Sequence, residues 1–254
     1  MSTTPPTESL VDLAARKQLP RHQFMDSATL RWIEENRPSF SSGTSPRLRP
    51  TSQRLLHRAA IPTDWLAERQ IADSLHGIRH ALRTAALAAL LAEITRLDED
   101  DTATLIMAAA VHDCRRLHDK DDHGHGARAA IWLTDNANAV WGHFDRPASP
   151  RSVDQAATAV RLHDVPYGAF TPEDQADHHR VEALTDLLKA ADALDRYRLP
   201  KLKWWPNAAH LRVPQIEHLR AVAFDLVVWS EAAHLDDQDS ASAVLTALER
   251  KEIA

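Results

Sequence analysis

From Asp73 onward the chain repeats its inward-facing positions every three or four residues. His76, His80, Arg83, Leu87, Leu90 and Ile94 fall on one stripe of a long helix. A second helix is expected over 101–117, with Leu105, Ala108, Ala109 and His112 on one face. A polar loop, HDKDDHGHG, follows at 118–126. Further helices are expected at 126–134, 151–163, 179–198, 213–233 and 239–251. Upstream, Asp26 can cap a short helix carrying Leu30, Trp32 and Ile33, another is expected over 52–60, and a third begins at the Thr63 cap. There is no internal repeat and no alternation of strand and helix patterns, so the expected fold is an all-α helical bundle.

Residues 1–25 read as a loosely packed arm. The stretch RPSFSSGTSPRLRP at 37–50 mixes proline, serine and basic residues and reads as a linker or surface strap. The expected division is therefore a partly flexible arm and linker over 1–50 and a helical domain over 51–254. That domain has its motif core at 73–200, with C-terminal helices at 211–251 packing on it.

Composition narrows the classes. With only 6 glycines in 254 residues and abundant alanine and leucine, helix is favoured over sheet. Cys114 is the single cysteine, which excludes an internal disulfide and a cysteine-built metal site. The start of the chain lacks a basic and then apolar stretch, and no run approaches the roughly 18 apolar residues that span a bilayer. The expectation is a cytoplasmic protein without a membrane partner. A net charge of −6 argues against a nucleic-acid surface. Fifteen histidines stand out, because histidine is a metal ligand and a proton carrier near neutral pH.

The segment AAAVHDCRR at 108–116 sets His112 beside Asp113 at the end of an apolar helix. The same dipeptide recurs at His118–Asp119 and His163–Asp164, so it says little alone. Its setting says more. HGIRHALRTAALAALL carries His76 and His80 on an otherwise apolar face. LLKAADALDRYRL carries Asp192 on the stripe of Val181, Leu184 and Leu188. A carboxylate on a core-facing stripe must be paired, hydrogen-bonded or bound to metal. Three apolar helices thus each aim a metal-capable group inward.

The order H … HD … D on successive helices resembles the HD superfamily of metal-dependent phosphohydrolases. The phrases HGIRHALR, AAAVHDCRR with HGARAA, and ADALDRYRL carry the resemblance over roughly 73–200. It implies an HD-domain-like bundle with a divalent ion (Mn, Mg, Fe, Co, Ni or Zn) at His80, His112, Asp113 and Asp192. His76 is an alternative to His80. Relatives with two metals bind the second through histidines between the HD pair and the last aspartate, which here are His125 and His163. His123 competes with His125, and one or two ions both remain open.

The implied activity is hydrolysis of a phosphate ester, monoester or diester, on a nucleotide or another small phosphorylated metabolite. Asp113, Arg83, Arg116 and His125 would serve the chemistry, and Arg115, Lys120, Arg196 and Arg198 would bind substrate. Two other readings stay open: an oxygen-using di-iron enzyme on the same six ligands, and a non-catalytic metal- or nucleotide-binding regulatory module. A homo-oligomer is compatible with all three.

Overall fold

A computed structural model describes residues 8–40 and 46–253. Among these residues there is no strand. Twelve α-helices run in the order α1 (Leu10–Ala15), α2 (Ser27–Glu35), α3 (Pro50–Leu56), α4 (Ile78–Thr95), α5 (Glu99–Val111) and α6 (His125–Asp135). They continue through α7 (Ala137–His143), α8 (Pro150–Leu162), α9 (Pro172–Arg180), α10 (Glu182–Leu194), α11 (Ile216–Leu235) and α12 (Ser240–Arg250). The fold is all-α.

The bundle is built around α4. Every residue from Ile78 to Ala92 is buried, including the charged Arg79 and Arg83. A helix that is apolar on all sides must be enclosed, and α5, α10, α11 and α12 enclose this one. Alanines make the enclosure tight: Ala85, Ala86, Ala88 and Ala89 on α4 and Ala108 to Ala110 on α5 have no exposed surface. Such short side chains let neighbouring backbones approach closely. The α4 helix stops at Arg96, which is left-handed at φ 57, and α5 restarts at once behind the Asp98 cap, whose side chain accepts from the Asp101 amide. The C-terminal ends of α5 and α8 and the N-terminal start of α6 then converge beside α4 and α10.

Several boundaries differ from the sequence reading. His76 precedes α4 rather than lying on it. At Thr63 there is only a three-residue 3-10 turn. The helix expected over 179–198 is two helices, broken at Val181 (φ −128, ψ 33) and followed by a 3-10 turn at Asp195–Arg198. The α9 helix has almost no apolar residues. Its stop and start signals form it: a Thr171–Asp174 capping box with Pro172 in the first turn.

The region expected to be a loose arm is packed. Leu10, Met25, Leu30, Ile33 and Leu48 join the main core. The Gln23 amide donates to Asp119 Oδ2 at 2.8 Å, the Asp119 amide to the Arg21 carbonyl at 2.9 Å, and the Leu75 amide to the Gln23 carbonyl at 2.8 Å. Residues 21–23 are therefore stitched to the loop beside the candidate site. The first seven residues of the expected arm and residues 41–45 of the expected linker lie outside the described residues. Among the described residues no helix is long and apolar enough to cross a membrane.

Candidate metal centre

Five elements deliver side chains to one point. His80 comes from the first turn of α4, His112 and Asp113 from the end of α5, and His125 from the first position of α6. His163 comes from the end of α8, and Asp192 from the last turn of α10. The two helix ends deliver their histidines identically. His112 Nδ1 donates to the Ala109 carbonyl and His163 Nδ1 to the Val160 carbonyl, each at 2.7 Å. His125 Nδ1 donates to the Asp122 carbonyl at 2.8 Å, and His80 Nδ1 to Asp195 Oδ2 at 2.8 Å. With each Nδ1–H committed, each ring in its neutral form turns its Nε2 lone pair inward, the arrangement that orients a metal-ligating imidazole.

Those lone pairs face one another. His80 and His112 bring their Nε2 atoms to 3.1 Å, and so do His125 and His163. Nitrogen lone pairs at that distance repel unless a cation or a proton lies between them. The acids complete two groups. Asp192 Oδ1 lies 3.4 Å from His80 Nε2 and 4.0 Å from His112 Nε2. Asp113 Oδ2 lies 3.5 Å from His80, and its Oδ1 lies 2.9 Å from His125 and 3.5 Å from His163. Despite those neighbours, Asp113 Oδ1 is buried without a hydrogen-bond partner among the described residues. Asp113 thus sits between the groups with one oxygen turned to each.

This donor set fits a divalent ion. Ligand atoms of His80, His112 and Asp192 lie within 4.8 Å of one another, as do those of His112, Asp113 and His163. Two nitrogens 3.1 Å apart are close enough that one ion could be held by both. The two helix C-termini add the negative ends of their dipoles.

Electrostatics favour the ligating form of His112, Asp113 and Asp192, whereas at His125 burial is outweighed by Asp113, which raises the imidazole. Burial pushes the His112 imidazole down to about 3, so it is neutral at pH 7. Burial would raise the Asp113 carboxyl, but Arg116 and the surrounding imidazoles hold it well below the usual range. The same opposition acts on Asp192, where His80, His112 and then Arg198 outweigh burial.

Behind the ligands lies a buried ion-pair lattice. Asp195 accepts from Arg83 Nε at 2.6 Å and from His80, and although burial opposes it, Arg83 holds its carboxyl down to about 2. Arg83 Nη1 reaches Glu231 Oε1 at 2.7 Å, and Glu231 Oε2 accepts from Arg79 Nε at 2.9 Å. This corrects the expected role of Arg83: it is fully buried, its donors are taken, and it braces His80 through Asp195 instead of meeting substrate. Lys189 does similar work at α8, donating to the carbonyls of Leu162, His163 and Val165 at 2.6–2.9 Å.

The centre opens into a cleft of about 780 Å³ through Asp192, whose side chain is 28% exposed. Arg116, Lys120, Arg196 and Arg198 line this cleft, as the sequence reading expects of phosphate-handling residues. Arg115 does not: it turns away, donating to the Trp65 carbonyl and lying over Trp132. His123 points to solvent, 90% exposed and beside Asp121, whereas His125 is in the cluster. His76 stands at the edge, its Nδ1 3.0 Å from Asp113 Oδ2 and 3.0 Å from Arg198 Nη2, while His80 occupies the middle. Asp195, Glu231, Asp119 and Lys189 were not singled out from the sequence as parts of the site.

Gly126 sets how closely α6 meets α8. A Cβ there would stand 2.7 Å from both the Val160 carbonyl and Asp164 Oδ1, and 3.0 Å from His163 Nδ1. The sharp turn before α6 is made instead by Gly124, at φ 76. Gly126→Ala is expected to separate His125 from His163 and to cost about 1–3 kcal/mol. Thermal melting with metal analysis checks this, and an unchanged melting temperature with unchanged metal content would count against it.

Compared with protein-family models, curated proteins and solved structures, the chain matches none.

Proposed function

We propose that the chain is a metal-dependent phosphohydrolase of the HD superfamily. One divalent ion would be held by His80, His112, Asp113 and Asp192, and a second by Asp113, His125 and His163. The observation that carries this reading is the commitment of all four Nδ1–H groups, which leaves four Nε2 lone pairs converging on a carboxylate with a partnerless oxygen. When bound, a divalent ion would supply Lewis acidity to a phosphoryl oxygen and lower the pKa of water toward neutrality.

The chain's own residues supply the rest. Arg198 Nη1 lies 3.3 Å from Asp195 Oδ2 without hydrogen-bond geometry, and among the described residues it has no partner. Being buried, it adds positive charge behind the cleft wall, where a phosphate would feel it without touching Nη1. Arg116 is anchored by the His118 and Lys120 carbonyls, which leaves its Nη1 between Asp113 and His125. Asp113, with both oxygens turned inward, orients the attacking water. Lys120 and Arg196 are more exposed and serve the outer part of the substrate.

An oxygen-using di-iron centre would call on the same six ligands. Guanidinium groups at the cleft wall favour phosphate. The test is metal-loaded protein assayed on a panel of phosphomonoesters and phosphodiesters, with oxygen uptake followed in parallel. Ester hydrolysis that ceases with a chelator and returns with metal is the expected result. Oxygen consumption without hydrolysis of any ester would overturn the reading.

A further inference from the structure

Two clefts, not one, meet at the metal centre. The first, about 780 Å³, runs out past Lys17, Lys120 and Lys201. The second, about 770 Å³, runs out past Tyr167, Asn207 and Arg212. They share His163, Asp164, Asp192, Arg196, Lys203 and Trp204, so both open onto the ligand cluster. The ridge between them is held in shape by Arg196, whose Nε donates to the Trp204 carbonyl at 2.8 Å. Each cleft is within the size range that accommodates a small organic ligand.

The walls differ in chemistry. The first cleft presents lysine amines on separate segments of chain, with the carboxylates of Asp119, Asp121 and Asp122 among them. The second presents flat surfaces. The Arg212 guanidinium lies 4.2 Å from the centre of the Tyr167 ring, and Trp204 stands at the ridge. Tyr167 is not free to swing: its hydroxyl donates to Asp186 Oδ1 at 2.6 Å, and Asp186 also meets His178 Nε2 at 2.7 Å. A guanidinium stacked on an anchored ring offers a preorganised face to another planar group.

A phosphomonoester has one organic substituent on phosphorus and would use only one of these clefts. A phosphodiester has two, and its phosphorus would lie where the clefts meet. Building on the hydrolase reading, we propose that the substrate is a phosphodiester. One arm is a planar heterocycle lying in the second cleft against Arg212 and Trp204. The other is a polar arm lying among Lys17, Lys120, Lys201 and the neighbouring aspartates. In the reaction, the oxygen of water bonds to phosphorus and one P–O ester bond breaks. The departing alkoxide takes up a proton from that water, giving one phosphomonoester and one alcohol.

Three chromogenic esters with the same leaving group test this: bis(4-nitrophenyl) phosphate, methyl 4-nitrophenyl phosphate and 4-nitrophenyl phosphate. With metal-loaded protein, the bis-aryl diester should exceed the monoester in kcat/KM by about tenfold or more. Arg212→Ala should cost the bis-aryl diester about fivefold more than it costs the methyl diester, mainly through KM. Calorimetric titration of chelator-stripped protein with bis(4-nitrophenyl) phosphate gives a readout without turnover, and Arg212→Ala should weaken binding by a similar factor. A monoester turned over as well as the diester would overturn the diester assignment and leave the hydrolase reading standing. Equal losses on both diesters, with unchanged calorimetric affinity, would remove the second cleft as the place of the planar arm. No turnover of any of the three would overturn the hydrolase reading, and the diester with it.

Discussion

Asp113→Ala will abolish metal-dependent ester hydrolysis, a loss on the order of a thousandfold or more, while the far-ultraviolet helical signal remains. Asp113 is the one side chain whose two oxygens face both ligand groups. Removing it takes a ligand from each proposed ion and the group that orients water. The fold should tolerate the loss, because the core does not depend on this carboxylate: α4 is enclosed by apolar faces of four helices. Asp113→Asn separates shape from charge, since it fills the same space without the anion. Both variants should lose bound metal. Either of them retaining full activity and full metal content would rule out a bridging role.

Glu231→Ala will destabilise the protein more than any change at the cleft wall. The carboxylate is 1% exposed and serves two buried guanidinia, Arg79 and Arg83. Deleting it leaves Arg79 without a carboxylate partner among the described residues and Arg83 with Asp195 alone, a loss worth about 3–5 kcal/mol. For a chain of this size that corresponds to a fall in melting temperature on the order of 10 °C. Because Arg83 also grips Asp195, and Asp195 holds the His80 ring, metal affinity should fall as well. Glu231→Gln keeps the volume and part of the hydrogen bonding and should fall between wild type and Glu231→Ala. An unchanged melting curve for Glu231→Ala would mean that the lattice behind His80 is not the support described here.

The parts legible in the sequence are those with a local, periodic signal. The stripes of α4, α5 and α10 mark the helices and the inward direction of His80, His112 and Asp192, and these side chains meet. Spacing could not say which far element a polar group would find. Arg83 and Arg196 look alike as basic neighbours of ligand positions, yet Arg83 is sealed by Glu231, which lies 148 residues away, while Arg196 is exposed along the cleft. Asp195 had a usable sign, three residues after Asp192 and so on nearly the same helix face. His123 and His125 are separable only by burial, which depends on where α6 begins. The α7 and α9 helices gave no apolar stripe, being short or polar. The N-terminal segment looked loose because its attachments are backbone hydrogen bonds to residues about a hundred positions downstream, which side-chain pattern cannot reveal.

The histidine–aspartate cluster is expected to hold divalent metal. The most direct measurement is elemental analysis of purified protein after equilibration with divalent ions and removal of the excess, in wild type, His80→Ala, His125→Ala and His163→Ala. Two-metal binding predicts close to two equivalents per chain in wild type. It predicts close to one in His125→Ala and His163→Ala, with His80→Ala losing the ion on its own side. One equivalent in wild type, unchanged in the His125 and His163 variants, would contradict the second site. Wild type without stoichiometric metal under these conditions would contradict the account as a whole.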